Sequence, residues 1–159
     1  NQQKPSSSNQ QSSLSSLSSP TSSQATSSSS LSTTALKIPH GWQYGLLHYI
    51  YFPEKHQKCI VYQSNNFLGI ADKYPKAKHH YLLLPQKRID GIEVLHYEDI
   101  ELIETMTKHA QILIKQVLAR EREQGTTTPS SFFLGFHAIP SMKQLHLHVI
   151  SNDFNSPSM

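Results

Sequence analysis

Hydrophobic positions are sparse through the first 34 residues and then recur in short, regular patterns to the end of the chain. From Tyr97 to about Glu123, Ile100, Ile103, Met106, Ala110, Leu113, Val117 and Leu118 return at steps of three and four, which predicts one long amphipathic helix. The Gly and Pro of "EQGTTTPSS" end it. Apolar and aromatic residues between Trp42 and Phe52 predict a shorter helix that stops before Pro53.

Five strand-like runs surround the long helix. "CIVYQ" (59–63) and "FLGIAD" (67–72), separated by "SNN", read as a hairpin. "HYLLLP" (80–85) is a buried strand closed by Pro85, and "FFLGFHA" (132–138) and "LHLHVIS" (145–151) are two more, joined by "IPSMK". One long helix on such strands predicts an α+β domain with a mainly antiparallel sheet.

Composition divides the chain. Sixteen of the first 34 residues are Ser, and so little apolar surface cannot offset the entropy lost on ordering, so residues 1–36 are expected to be a disordered low-complexity arm. Residues 37–159 suffice for one domain with a real core. No window carries the ~20 apolar residues of a membrane span, so a soluble protein without a membrane partner is expected. The one cysteine, Cys59, rules out an internal disulfide and a Cys-based zinc site, and suits a reducing compartment. A formal charge of +3, with ten histidines uncounted, favours a polyanionic partner.

Strand alternation puts Gln144, His146 and His148 on one face and Leu145, Leu147 and Val149 on the other. A wet two-histidine strand, a metal chelate and a phosphate-handling pocket all fit that pattern. His80 and His137, at similar places in adjacent strands, shift the balance towards the pocket, since neutral imidazole is both nucleophile and proton carrier near pH 7. No Cys or carboxylate nearby completes a zinc set, so no metal ligands are assigned. His40, His48, His56, His79, His96 and His109 read as solvated bystanders.

"QLHLHVIS" resembles the histidine-triad signature His-φ-His-φ-His-φ-φ, where φ is apolar, with Gln144 in the place of the first histidine. The strings "GFHAIPSMKQLHLHVISNDFNSP", "DKYPKAKHHYLLLP" and "GWQYGL" together resemble the aprataxin branch of the histidine-triad (HIT) superfamily, over residues 37 to 159. The resemblance implies a HIT-like catalytic domain that removes AMP from 5′-adenylated DNA ends left by aborted ligation, through a covalent AMP-histidine. It implies a nuclear enzyme whose partners are nicked or double-stranded DNA ends, with repair proteins meeting the Ser-rich arm. No cofactor is expected here; zinc would belong to a finger beyond Met159.

Carried over by position, His146 is the nucleophile, His148 holds the phosphate, His137 serves the departing 5′-phosphate, and His80 supports the nucleophile's surroundings. The same resemblance implies that Asp72 and Lys73 meet the ribose side, and that Phe67, Leu68 and Ile70 sandwich adenine. Ser141, Met142, Lys143 and Gln144 would flank the phosphate. DNA contacts would come from Gln86, Lys87, Arg88, Ile89 and Asp90, from Asn155 and Ser156, and from Trp42 and Tyr44 stacked on a terminal base. Two other readings stay open: a general purine nucleotide phosphoramidase of the superfamily, and, because of Gln144, a non-catalytic adenylate-binding module.

Overall fold

A computed structural model describes residues 38–155. The Ser-rich arm expected at 1–36, any partner docked on it, and Ser156 lie outside them. Within the described residues the chain forms α1 (Gly45–Tyr51), preceded by a single 3-10 turn at Trp42–Tyr44, and α2 (Ile100–Glu123). The strands are β1 (Ile60–Gln63), β2 (Phe67–Ala71), β3 (His80–Pro85), β4 (Phe132–Gly135) and β5 (Leu147–Ser151). They form one five-stranded sheet in the order β1-β2-β3-β5-β4. Every adjacent pair is antiparallel. The α+β architecture, with a long helix on an antiparallel sheet and a short N-terminal helix, is the one expected. Among the described residues no helix is long and apolar enough to cross a membrane.

Alternation along each strand sorts the sheet into two faces. On one, Phe67, Leu83, Leu147 and Val149 pack with Met106, Ala110, Leu113 and Val117 of α2. Ile100 ends up 47% exposed, at the helix start beyond the sheet. The helix stops where Gly125 takes a left-handed φ of 66°, and the Thr126 N–H and hydroxyl both donate to the Glu121 carbonyl. On the other face, Leu68, Ile70, Leu82 and Leu84 pack with Leu46 of α1. β3 and β5 pair Leu82 with His148, so the apolar patch under α1 runs directly into the histidines.

β1 starts one residue late, at Ile60, and β2 ends one early, at Ala71; two other strand ends differ more from the sequence expectation. β4 stops at Gly135, which leaves His137 in the following loop, and β5 begins at Leu147, just after His146. The reason is a rival partner: the Leu145 N–H donates to the Ile89 carbonyl at 2.6 Å, so 144–145 zip onto the loop after β3 instead of onto β4.

Gly69 sits where β2 passes under α2. A Cβ there would lie 2.7 Å from Leu113 Cδ1 and 2.8 Å from Tyr62 Cβ. Overpacking of that kind costs about 1–3 kcal/mol. Gly69→Ala is expected to lower the urea unfolding midpoint accordingly, while a mutant as stable as the parent would mean that α2 is not seated against β2.

Candidate active site

Four imidazoles from three segments meet on the α1 side of the sheet. His80 opens β3 and His148 sits in β5; both are nearly inaccessible, at 3% and 6% exposed. His146 is 7% exposed, and its ring centroid lies 5.0 Å from that of His148. His137, exposed in the loop after β4, stacks on His148 at 4.2 Å and stands edge-on to His146 at 6.3 Å. The sequence placed these four together, and the structure does the same.

The hydrogen bonds fix where the protons are. The Lys76 backbone N–H donates to His80 Nδ1 at 3.1 Å, so that nitrogen must offer a lone pair. In neutral His80 the hydrogen is then on Nε2, which lies 2.8 Å from His148 Nδ1 and donates to it. His148 must therefore carry its own hydrogen on Nε2. That N–H is buried and has no partner among the described residues. Leaving a buried donor unpaired costs about 1–3 kcal/mol, a cost relieved by an oxyanion placed before it.

His146 has the opposite tautomer. Its Nδ1–H donates to the backbone carbonyl of Gln144 at 2.7 Å, which leaves the Nε2 lone pair free as a nucleophile. Burial holds His146 below the ordinary imidazole range, and the Gln144 carbonyl only partly opposes it. Burial also lowers His80, against the pull of Asp72 Oδ2 at 3.4 Å. His148 is lowered to about 3, first by burial and then by repulsion from His146, His137, His80 and Lys76. All three rings are neutral at pH 7.

Ring nitrogens of His137, His146 and His148 lie within 4.8 Å of one another, as do ligand atoms of Asp72, His80 and His148. Either group has the span of a cation site. The proton chain opposes both, because a metal needs the His148 lone pair on the nitrogen that Lys76 and His80 together force to be N–H, or the one already taken by His80.

Gln144, which replaces a histidine of the signature, is fully buried. Its side-chain amide donates to the carbonyls of Pro85 and Lys87, and its oxygen accepts the Ile89 N–H. The side chain therefore clamps the loop after β3, while the backbone carbonyl of the same residue holds the His146 ring. A histidine at 144 has two ring nitrogens for three partners.

Several expected contacts are relocated. Phe67 does not join Leu68 and Ile70: it is one residue out of phase, so it points to the α2 face and packs on the His109 ring at 4.6 Å. Leu68 and Ile70 are core residues under α1. Asp72 commits Oδ1 to the Tyr74 N–H at 2.7 Å and aims Oδ2 at His80, and Lys73 lies over the Tyr74 ring. The Lys143 ammonium pairs with Glu93 at 3.2 Å at the surface, and its N–H donates to the Gln43 carbonyl. Met142 packs beside α1, and Ser141 is exposed at the turn.

Within the 86–90 loop, Gln86 is tied to the Ser64 carbonyl, and Ile89 packs against the α2 core. Asp90 pairs with Arg88 at 3.0 Å, while Arg88 also lies over the Tyr44 ring. Lys87 is exposed, Trp42 is 71% exposed, and Asn155 donates its N–H to Asp153. Two of the supposed bystander histidines are structural. His79 is one residue out of phase with His80, so it is buried on the α2 face, where it meets the Tyr81 hydroxyl. His109 lies on the buried stripe of α2 and binds the Tyr62 hydroxyl.

Sequence reasoning missed Lys76. Its N–H sets the His80 tautomer, and its ammonium lies 3.4 Å from His137 Nε2. The one available signal was a lysine four residues before a strand histidine, directly after Pro75.

A family profile described as "Scavenger mRNA decapping enzyme C-term binding" matches residues 46–159. A HIT domain-containing protein of Dictyostelium discoideum is 40% identical over 121 residues, covering 74% of this chain and 31% of its own length. Aprataxin of Gallus gallus is 44% identical over 102 residues, covering 64% of this chain and 30% of its own. The chain thus spans about a third of the length of these curated relatives. A crystal structure of the aprataxin ortholog Hnt3 in complex with DNA superposes with a TM-score of 0.60 at 26% identity, covering 74% of this chain and 64% of that one.

Buried neutral histidines make stability depend on pH. For His79, His80, His146 and His148 the folded pKa is below the ordinary 6.5, so the unfolded chain binds more protons once pH falls under that value. The urea midpoint is expected to hold from pH 8 to 7 and to drop between 6.5 and 5, above the range where carboxylates titrate. A constant midpoint down to pH 5 would show that these rings are solvated or charged in the folded state.

Proposed function

The chain belongs to the histidine-triad proteins, in the family described as scavenger mRNA decapping enzyme C-terminal binding and alongside the aprataxins, and from that premise we propose that it hydrolyses AMP from 5′-adenylated DNA ends. The observation that carries this reading is the pair of opposed tautomers: a lone pair on His146 Nε2 beside an unpartnered N–H on His148 Nε2. One attacks phosphorus and the other receives the charge that develops on its oxygens. The DNA-bound Hnt3 structure supports DNA as the leaving side, and that substrate would place the enzyme in the nucleus.

In the first step the His146 Nε2 lone pair forms a bond to the α-phosphorus of the adenylate. The anhydride P–O bond breaks, and its electron pair leaves with the DNA 5′-phosphate. The positive charge created on the His146 ring is spread through Nδ1–H onto the Gln144 carbonyl. His148 Nε2–H donates to a non-bridging oxygen. Lys76 and His137, adjacent and exposed, meet the departing phosphate. In the second step water attacks the same phosphorus, the Nε2–P bond breaks, AMP leaves, and the water's proton passes to solvent or to His137.

Gln144 is compatible with this chemistry because the part of residue 144 that the step uses is its backbone. The binding-module reading loses its motive with that geometry.

The test is release of AMP from 5′-adenylated nicked DNA and from an adenosine phosphoramidate. The wild type is expected to act on the DNA, and His146→Ala to lose roughly three orders of magnitude or more. Release from the phosphoramidate alone would replace DNA repair with general phosphoramidase activity. Gln144→His is expected to leave turnover the same or lower, through loss of its three loop contacts; a gain of several orders of magnitude would show the natural chain to be impaired.

A further inference from the structure

The Lys76 N–H fixes the His80 tautomer only while the chain around it stays still, and no regular element holds it there: residues 73–79 lie in neither a helix nor a strand. The front of the segment is tied by Asp72, whose N–H donates to the His80 carbonyl at 2.9 Å and whose Oδ1 accepts the Tyr74 N–H. The rear is tied by Ser151, the last residue of β5. Strand alternation puts Ser151 with Leu147 and Val149 on the α2 face, away from the four imidazoles.

Ser151 is fully buried. A buried hydroxyl is costly unless it is bonded, and this one is bonded twice. Its oxygen accepts the His79 N–H at 3.0 Å, and its hydrogen goes to Asp153 Oδ2 at 3.0 Å. The Ser151 backbone N–H also donates to the His79 carbonyl at 2.8 Å. Asp153 Oδ1 in turn accepts the Lys78 N–H at 3.0 Å. Ser151 and Asp153 thus take the two consecutive amides that precede His80. Ala77, the one residue between those amides and Lys76, is itself fully buried. Phe154, in the turn that brings the carboxylate to Lys78, has a φ of 46°, a left-handed value that a bulky residue rarely adopts.

We propose that Ser151, backed by Asp153, is a positioning residue for the hydrolysis: it holds the 76–79 segment so that the Lys76 N–H stays on His80 Nδ1, and through that contact it keeps the hydrogen of His148 on Nε2. Without the clasp the two rings have a second state, in which both hydrogens sit on Nδ1 and His148 donates to His80 instead of accepting from it. His148 Nε2 then points a lone pair at the oxyanion and repels it. Ser151 acts only through the backbone of the neighbouring strand. The inference rests on the functional reading above and adds what keeps its proton order.

Ser151→Ala tests it by removing one oxygen from the face away from the site. Nitrogen shifts of the histidine-labelled whole chain at pH 7 are expected to show His80 and His148 with hydrogen on Nδ1 in matching fractions, where the wild type shows Nε2 alone. The kcat for AMP release from 5′-adenylated nicked DNA is expected to fall about ten- to a hundredfold, with KM little changed. Asp153→Ala acts in the same direction and serves in its place should Ser151→Ala not fold. Asp153→Asn, which keeps an acceptor for the Lys78 N–H, is expected to stay near the wild type. Gly69→Ala controls for lost stability alone: it loosens the packing of α2 and is expected to leave both tautomers and kcat as they are. His80 and His148 on Nε2 alone in the alanine variants, an unchanged kcat, or equal mixing in Gly69→Ala overturns the clasp. Failure of the hydrolytic reading shows separately, as no AMP release by the wild type, and the tautomer comparison then still decides whether Ser151 sets the proton order.

Discussion

One backbone N–H, that of Lys76, decides where the protons of the site sit. Because it donates to His80 Nδ1, His80 must donate from Nε2 to His148, and His148 must carry its own hydrogen on the buried, unpartnered Nε2. A separate bond, from His146 Nδ1 to the Gln144 carbonyl, sets the neighbouring ring the other way round. The result is a donor and a lone pair side by side in a buried place where both rings stay neutral. Free imidazoles in water interchange tautomers, and the fold removes that freedom before any substrate arrives.

The rest of the architecture serves this arrangement by separating stability from chemistry. The α2 face of the sheet holds the large continuous core, whereas the α1 face gives up part of its area to polar rings. Antiparallel register brings β3 and β5 together so that His80 and His148 touch. Gln144 joins the two halves: its side chain secures the loop after β3, and its carbonyl holds the nucleophile. A histidine is therefore not needed at that position for the ring of His146 to be oriented.

Strand alternation and the three-to-four spacing of apolar residues made the five strands, the long helix and the four convergent histidines legible in the sequence. What stayed hidden depended on phase or on backbone groups. Phe67 and His79 each lie one residue from a site-facing neighbour, and alternation sends both to the opposite side. His109 belongs to the buried stripe of α2, but as a polar residue it does not count in a hydrophobic pattern. Lys76 acts through its N–H, and Gln144 through its carbonyl; neither group differs between residue types, so composition carries no sign of them. In the loop 86–90, Asp90 answers Arg88, Ile89 and Gln86 are spent on packing and on the β1–β2 turn, and Lys87 stays exposed; none of these pairings shows in the residue types alone.

The most direct measurement is the tautomer of each ring, read from nitrogen chemical shifts and long-range couplings in histidine-labelled protein at pH 7. His146 is predicted to carry its hydrogen on Nδ1, and His80 and His148 to carry theirs on Nε2, all three neutral. A hydrogen on Nε2 of His146, or a His148 that is charged or protonated on Nδ1, would contradict the account, because the nucleophile and the oxyanion donor would then have exchanged or lost their roles.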